Sequence, residues 1–220
     1  MPVDLRVYAI VDPEHAGGHA LPDLARMLAA GGATLVQLRD KVSETRAMVE
    51  SARAVKAALE PFGVPLLVND RVDVALAAEA DGVHVGQTDM APEDARLLLG
   101  RTAIIGLSIN TPELAEAAPI DLLDYVGIGG VYATMSKAQK KAPIGVDGLR
   151  RIIEVFQRRK PGFPGCAIAG ITAANAAPTI AAGAEGVSVI SALSLASDPT
   201  AAARELRTVI DDALAARLPR

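Results

Sequence analysis

Three polar side chains alternate along a short apolar run near the beginning of the chain. Gln37, Arg39 and Lys41 stand at every second position of the segment TLVQLRDK, residues 34–41. Because successive side chains of a strand point to opposite faces, these three project from one face, about 6.6 Å apart. Cations held against an apolar core need anionic partners, since an unpaired buried charge is costly. The pattern predicts a site for an anionic ligand, with a salt-bridge ladder on a solvated strand end as the alternative.

Two aspartates follow two other apolar runs of the chain. Asp70 comes directly after Asn69 in LLVNDR, and Asp89 ends the segment GVHVGQTD. Mg²⁺ in enzymes commonly takes one or two carboxylates and completes its coordination with substrate phosphate oxygens. We therefore predict a magnesium site at these two aspartates, although either residue alone would also make a common helix N-cap.

Further hydroxyl and ammonium groups follow later apolar runs. Ser108 ends the run IGLS, and the loop after the next run carries Thr134, Ser136 and Lys137. Lys137 adds a cation that can neutralise phosphate charge together with the basic residues described above. The last two runs end in AGIT and VISAL, whose free backbone N–H groups suit a second phosphate. Two phosphate sites with a metal at one of them predict the transfer of a group away from diphosphate.

All these polar residues stand at the ends of strand-like segments that helical patterns separate. The predicted strands are residues 7–11, 35–39, 65–69, 82–86, 103–109, 125–131, 166–171 and 186–191. Between them, Ser43 and Thr111 are predicted N-caps, and Pro92 and Pro199 are predicted to open helices. Apolar strands that alternate with helices predict a parallel sheet covered on both faces.

The number of predicted strands, eight, favours a (β/α)8 barrel, the TIM-barrel fold, formed as one domain by residues 1–220. An open flavodoxin-like or Rossmann sheet is the alternative. The sequence carries no G-x-G-x-x-G fingerprint after the first predicted strand and no Walker A motif, so nucleotide-binding folds are disfavoured. Functional residues of such a barrel lie at the carboxyl ends of its strands, where the polar residues above are found.

The composition excludes several classes of partner. The chain has 220 residues, a formal net charge of −4 and only 3% aromatic residues. An acidic chain with few aromatic side chains is a poor match to nucleic acid or to an anionic membrane surface. No apolar run is long enough to span a membrane and no signal peptide is recognisable. We expect a cytoplasmic enzyme that acts on small molecules. A homo-oligomer is one alternative to a monomer.

Two residues with reactive side chains have simpler structural explanations. Cys166 lies in the apolar run GCAIAGI, where we expect a small buried residue rather than a nucleophile. His84 stands within a predicted strand, where a hydrogen-bonded core histidine is the more common role. Neither residue is expected to carry the chemistry.

Six motifs occur in this order along the chain: VQLRDK, LLVNDR, GVHVGQTD, IGLS, a T-x-S-K loop and VSVISAL. With them the chain resembles the thiamine phosphate synthase family from Tyr8 almost to the C-terminus. The resemblance implies a (β/α)8 barrel that transfers an alkyl group with the help of Mg²⁺. Such an enzyme of thiamine biosynthesis joins 4-amino-5-hydroxymethyl-2-methylpyrimidine diphosphate to 4-methyl-5-(2-phosphoethyl)thiazole, or to its carboxylated form. The products are thiamine phosphate and diphosphate.

The resemblance also implies a role for each matching residue. Residues that would hold the pyrimidine diphosphate are Gln37, Arg39, Lys41, Asn69, Ser108 and Lys137, and of these Arg39, Lys41, Ser108 and Lys137 would act catalytically. Asp70 and Asp89 would bind Mg²⁺. Residues that would hold the thiazole phosphate are Thr134, Ser136, Gly170, Val189, Ile190 and Ser191.

Three positions depart from the common pattern of the family, and two alternative functions stay open. Ala133 replaces a common proline, Ser136 a common threonine and Ala169 a common glycine. A thiazole tautomerase on the same scaffold would need an acid or base, for which His84 is the candidate. Retention of the basic residues and of both aspartates argues against it, since a tautomerase binds no diphosphate. A non-catalytic sensor of phosphate ligands is the other alternative.

Overall fold

Eight parallel strands close a barrel in the computed structural model, which describes residues 3–134, 136 and 142–217. The strands are β1 Val7–Val11, β2 Leu35–Leu38, β3 Leu66–Asn69, β4 Gly82–Val85, β5 Ile104–Ile109, β6 Tyr125–Gly129, β7 Gly165–Ile168 and β8 Gly186–Val189. Each strand pairs with the next, and β8 pairs with β1. The predicted (β/α)8 barrel is confirmed.

Helices follow the strands and cover the outside of the barrel. They are α1 Leu21–Ala30, α2 Thr45–Leu59, α3 Val72–Ala77, α4 Pro92–Leu99, α5 Pro112–Ala117, α6 Gly145–Arg159, α7 Ala173–Ala181, α8 Ser191–Ser194 and α9 Pro199–Ala216. Among the described residues, no helix is long and apolar enough to cross a membrane.

The predicted helix starts are confirmed except at one position. Thr111 caps α5, because its Oγ1 accepts a hydrogen bond of 3.2 Å from the Leu114 N–H. Proline opens α4 and α9, as its missing N–H and fixed φ favour. The prediction that Ser43 caps a helix was wrong. Its backbone N–H binds the Asp40 carboxylate instead, and α2 begins two residues later.

The predicted strand ends were wrong where the chain turns toward the mouth of the barrel. The seventh strand stops at Ile168 rather than at residue 171, because Ala169 and Gly170 have φ values of +75° and +69°. The eighth stops at Val189, and Ser191 begins the short helix α8 instead of ending a strand. An apolar sequence pattern indicates that a segment is buried, but it does not indicate where the backbone becomes left-handed and the strand ends.

The buried core has two parts. The larger part lies between the strands and the helices. A smaller cluster fills the barrel interior and consists of Leu5, Tyr8, Leu35, Leu67, Tyr125 and Cys166. Burial raises the pKa of the Cys166 thiol to about 12, which confirms its expected role as an inert core residue. We call this cluster the barrel floor, since it separates the interior at the amino-terminal side from the open mouth.

A candidate active site at the barrel mouth

A cavity of about 340 Å³ lies at the carboxyl ends of the strands, where barrels of this type carry their active sites. Predicted site residues in its wall are Gln37, Arg39, Asn69, Ser108, Thr134, Ser136, Gly170, Val189, Ile190 and Ser191. Lys41, Asp70 and Asp89 are not part of this wall, but they follow wall residues closely in the chain. Lys137 lies outside the described residues.

Arg39 is held by the carboxylate of Asp12, which was not among the predicted site residues. Its guanidinium forms an ion pair with Asp12, which follows β1 directly and whose side chain is only 1% exposed. The Asp12 carboxylate also accepts a hydrogen bond of 2.9 Å from the Glu14 N–H. An arginine fixed by a buried carboxylate stays cationic and keeps its remaining N–H groups available. Asp12 could have been found by the same strand-end rule that found the other aspartates.

Lys41 and Asp70 form an ion pair across the ends of β2 and β3. The Asp70 N–H donates a 2.8 Å hydrogen bond to the carbonyl of His84 in β4, although Asp70 has a φ of +60°. The Lys41 side chain is 44% exposed. The anionic partner expected for Lys41 is thus supplied within the protein, and an exposed ammonium can exchange this partner for a ligand.

Asp89 lies beside Asp70, so two carboxyl groups meet at the ends of neighbouring strands. Its Oδ2 accepts a 2.8 Å hydrogen bond from the Gly86 N–H. Burial raises the pKa of Asp89, and the adjacent Asp70 carboxyl raises it further. Neither aspartate is a helix N-cap, since Arg71 precedes α3 and Ala91 precedes α4. The pair carries negative charge that a cation would relieve.

This pair fits Mg²⁺ in number and in kind of ligand. Carboxylates are hard oxygen ligands, and Mg²⁺ retains water or takes substrate oxygens beyond one or two of them. Within the described ranges, no group of three or more His, Cys, Asp or Glu side chains could hold a metal. A cation at Asp70 and Asp89 would therefore need further oxygen ligands from substrate or water.

A chain of hydrogen bonds runs from Gln37 to Ser108 through the barrel floor, and its members Tyr8 and His84 also line the cavity. The Gln37 amide donates to the Tyr8 hydroxyl, whose Oη lies 2.9 Å from the Oη of Tyr125. Tyr125 Oη lies 2.8 Å from His84 Nδ1, and His84 Nε2 lies 2.9 Å from Ser108 Oγ. The expectation of a hydrogen-bonded core histidine is confirmed. The two tyrosines were missed, because an aromatic residue in an apolar run indicates only burial.

The opposite side of the mouth is built from small residues and backbone. Ser136 Oγ donates to Ser191 Oγ over 3.0 Å, which connects the loop after β6 to the start of α8. Gly170 has a φ of +69°, and a Cβ at this position would collide with the carbonyl oxygen of Ala133. The loops after β6 and β7 are therefore in close contact, and only glycine fits at the contact.

Ala169, one of the three departures noted in the sequence, has the left-handed conformation next to this glycine. Its φ of +75° is unfavourable for a residue with a Cβ. Ala169 and Gly170 both line the cavity. The alanine therefore adopts the backbone conformation that a glycine would adopt at lower cost.

Comparisons with known proteins agree on one family. A family model described as thiamine monophosphate synthase matches residues 7–193. A thiamine-phosphate synthase of Agrobacterium fabrum is 46% identical over 217 residues, which cover 99% of both chains. One of Xanthobacter autotrophicus is 45% identical over 98% of this chain and 99% of its own. A solved structure, thiamine phosphate pyrophosphorylase from Pyrococcus furiosus, superposes with a TM-score of 0.84 at 34% identity and covers 96% of this chain and 98% of its own.

Proposed function

The chain belongs to the thiamine monophosphate synthase family, and on that premise we propose how the residues at its barrel mouth carry out the synthesis of thiamine phosphate. The resemblance seen in the sequence is confirmed, and with it the activity of an alkyl-transferring enzyme. The substrates are a pyrimidine diphosphate and a thiazole phosphate, and the products are thiamine phosphate and diphosphate. Family membership favours this activity over the tautomerase and the sensor.

One observation carries the assignment of roles: Asp70 and Asp89 lie side by side, with Lys41 on one of them. Arg39, which precedes Lys41 by two residues just after β2, lies in the cavity wall. Carboxylates would bind a divalent cation while the two basic groups would bind phosphate oxygens, so the arrangement suits a metal–diphosphate complex. An uncharged ligand would gain little from these charges.

In the proposed reaction, the bond between the pyrimidine methylene carbon and the diphosphate oxygen breaks. The oxygen keeps the electron pair, and the thiazole nitrogen donates its lone pair to the methylene carbon. Arg39 and Lys41 stabilise the negative charge that develops on the departing diphosphate, and Lys137 would add a third cation. Bound Mg²⁺ would supply further neutralisation of the same charge.

No protein nucleophile takes part in this mechanism. Cys166 is fully buried in the barrel floor, and its raised pKa keeps the thiol protonated. His84 is occupied by hydrogen bonds at both ring nitrogens. The protein residues therefore bind, orient and neutralise, and both reacting groups belong to the substrates.

The thiazole phosphate would bind at the opposite side of the mouth. The turn at Gly170 and the start of α8 at Ser191 both line the cavity. A short helix after the last strand, together with the turn after the seventh, is a common phosphate site in such barrels. This side lacks a charged wall residue among those described, so backbone N–H groups and the hydroxyls of Thr134, Ser136 and Ser191 would make the contacts.

The test is incubation of the purified protein with both substrates and Mg²⁺, with thiamine phosphate and diphosphate measured separately. We expect both products in equal amounts, no thiamine phosphate when either substrate is omitted, and loss of turnover after chelation that Mg²⁺ restores. Full turnover in chelator would refute the magnesium site. Failure to form product, with thiazole phosphate still bound, would refute the proposed activity.

A further inference from the structure

The hydrogen-bond chain through the barrel floor is not used by the reaction as described, yet it ends on two residues of the substrate cavity. Its middle members, Tyr8 and Tyr125, are almost fully buried, and their hydroxyl oxygens are in hydrogen-bond contact. Burial raises the pKa of both phenols far above the ordinary value, so both keep their protons. Each phenol therefore has one proton to donate.

The order of donors follows from the Gln37 end. The Gln37 amide donates to Tyr8, so the Tyr8 proton goes to Tyr125 and the Tyr125 proton goes to His84 Nδ1. An imidazole that accepts at Nδ1 carries its proton at Nε2, where it donates to Ser108 Oγ. In the reverse order, Tyr125 would donate to Tyr8. The Tyr8 hydroxyl would then accept from both Gln37 and Tyr125, and its own buried proton would have no acceptor among the described residues, which is costly.

This order decides what Ser108 offers to the cavity. A serine hydroxyl that accepts from the imidazole keeps its own proton free for another acceptor. In the reverse order Ser108 would donate its proton to His84 and would present only lone pairs to the cavity. A phosphate oxygen is bound by the first arrangement and repelled by the second.

We propose that Tyr8, Tyr125 and His84 form a directional hydrogen-bond relay that holds Ser108 as a donor toward the diphosphate substrate, so that His84 is a positioning residue of the reaction. The proposal rests on the proposed function together with the role that the family resemblance implies for Ser108, which lines the cavity and would hold the pyrimidine diphosphate. It assigns to His84 the control of one donor and no proton transfer to substrate.

The strands make room for the relay with two glycines. A Cβ at Gly106 of β5 would collide with the ring of Tyr125. A Cβ at Gly127 of β6 would stand 2.9 Å from the Cε1 atom of His84. Glycine inside a strand weakens it, so a close approach of another group is a usual reason for its presence. Here the groups that approach are two consecutive members of the relay.

The first test reads the tautomer of His84 directly and does not require activity. The full chain, uniformly labelled with ¹⁵N, contains three histidines, and the His84→Gln spectrum identifies the signals of His84. We expect a neutral ring with its proton on Nε2 in the wild-type protein, and a loss of that preference in Tyr125→Phe. A proton on Nδ1 in the wild-type protein would overturn the relay, whatever the protein catalyses.

The second test asks whether the relay acts through Ser108. Tyr125→Phe should lower kcat/KM for the pyrimidine diphosphate about five- to tenfold, the effect of one neutral hydrogen bond. In a Ser108→Ala background the same substitution should change kcat/KM less than twofold, because the group it positions is absent. An equal loss in both backgrounds would show a merely structural role and overturn the proposal.

Two further variants keep this result interpretable. Cys166→Ala removes one atom from the same barrel floor without touching the relay, and it should leave kcat/KM within about twofold of the wild-type value. If Tyr125→Phe does not fold, Tyr8→Phe breaks the relay one bond further from Ser108 and is subjected to the same two measurements. His84→Gln, whose amide can donate to Ser108, should retain more activity than His84→Leu, and equal activities would contradict the relay.

Discussion

The two sides of the barrel mouth differ in the groups they offer to a phosphate. The side formed by the ends of β2, β3 and β4 offers charged side chains, namely Arg39, Lys41, Asp70 and Asp89. The side formed by the ends of β6, β7 and β8 offers hydroxyls, glycine turns and the start of a short helix. The first arrangement suits a leaving group whose charge grows during the reaction, and the second suits a phosphate that only anchors its substrate.

The strongest test of this difference between the two sides is a substitution on the charged side. Asp70→Ala removes one of two carboxylates proposed to bind Mg²⁺, and we expect kcat/KM for the pyrimidine diphosphate to fall about a hundredfold or more. The measurement is initial rate against Mg²⁺ concentration. Asp73→Ala is the matched control, since this aspartate is exposed on α3 and forms an ion pair with Arg71 on the surface. A fall of less than threefold in Asp70→Ala would contradict the metal assignment.

A backbone change tests the opposite side. Gly170→Ala forces a Cβ into a left-handed residue and against the Ala133 carbonyl. We expect KM for the thiazole phosphate to rise about tenfold while KM for the pyrimidine diphosphate stays within about twofold. Gly162→Ala serves as the control, because Gly162 also has a positive φ but faces open space away from the mouth. Equal effects on both KM values would mean that the two sides do not bind separate substrates.

The pair of carboxyl groups at Asp70 and Asp89 should also affect the free energy of unfolding in the absence of substrate. The raised pKa of Asp89 means that the folded protein binds this proton more tightly than the unfolded chain does. The contribution to stability is complete below the ordinary value of 3.8 and is lost as pH rises through the folded-state pKa. At neutral pH in chelator, Asp89→Asn should therefore raise the free energy of unfolding, by less than about 1 kcal/mol because solvent screens the pair.

Urea unfolding at neutral pH and near pH 4 measures this difference. The gain of Asp89→Asn should shrink at the lower pH, because the raised pKa of the folded-state carboxyl favours its protonated form as pH falls, and added Mg²⁺ should stabilise only the wild-type protein. Asp94→Asn is the control, because Asp94 lies in the first turn of α4, where its charge favours the helix. A gain that is independent of pH would exclude carboxylate repulsion as its cause.

The smallest effect on catalysis is expected at Ala169. Ala169→Gly removes the cost of a Cβ at a φ of +75°, and the free energy of unfolding should rise by about 0.5–1 kcal/mol. The kinetic constants should stay within twofold, since the backbone already has a left-handed conformation that glycine adopts readily. Chemical denaturation and steady-state kinetics measure the two quantities. A lower stability would show that the alanine methyl group contributes packing that outweighs its strain.

The charged side could be predicted from the sequence and the opposite side only in part. Gln37 and Arg39 reach the cavity as side-chain periodicity predicts, and the two aspartates follow apolar runs as strand-end geometry predicts, whereas Lys41 lies beyond the end of β2 and outside the cavity wall. The turn after β7 depends on the positive φ of Ala169, which no pattern of apolar residues encodes. The second phosphate site was predicted from the small residues that end the last two runs, whereas the individual roles of its residues came from the resemblance to a family.

The hydrogen bonds of the barrel floor escaped prediction for a different reason. Tyr8 and Tyr125 belong to apolar runs, and a tyrosine there indicates burial without showing which group its hydroxyl binds. Their partners are distant in sequence and come together only when the barrel closes. The (β/α)8 architecture itself was predictable, because eight apolar runs that alternate with helical patterns leave few other topologies.

The two glycines that leave space for the relay limit which substitutions the barrel can accept. Gly106 lies against the ring of Tyr125, and Gly127 lies against the ring of His84. Neither glycine can gain a side chain while its aromatic partner is present, and replacement of either ring by a small residue would leave a void. Such positions change together or stay fixed, so transfer of this substrate mouth to another barrel would require transfer of the floor beneath it.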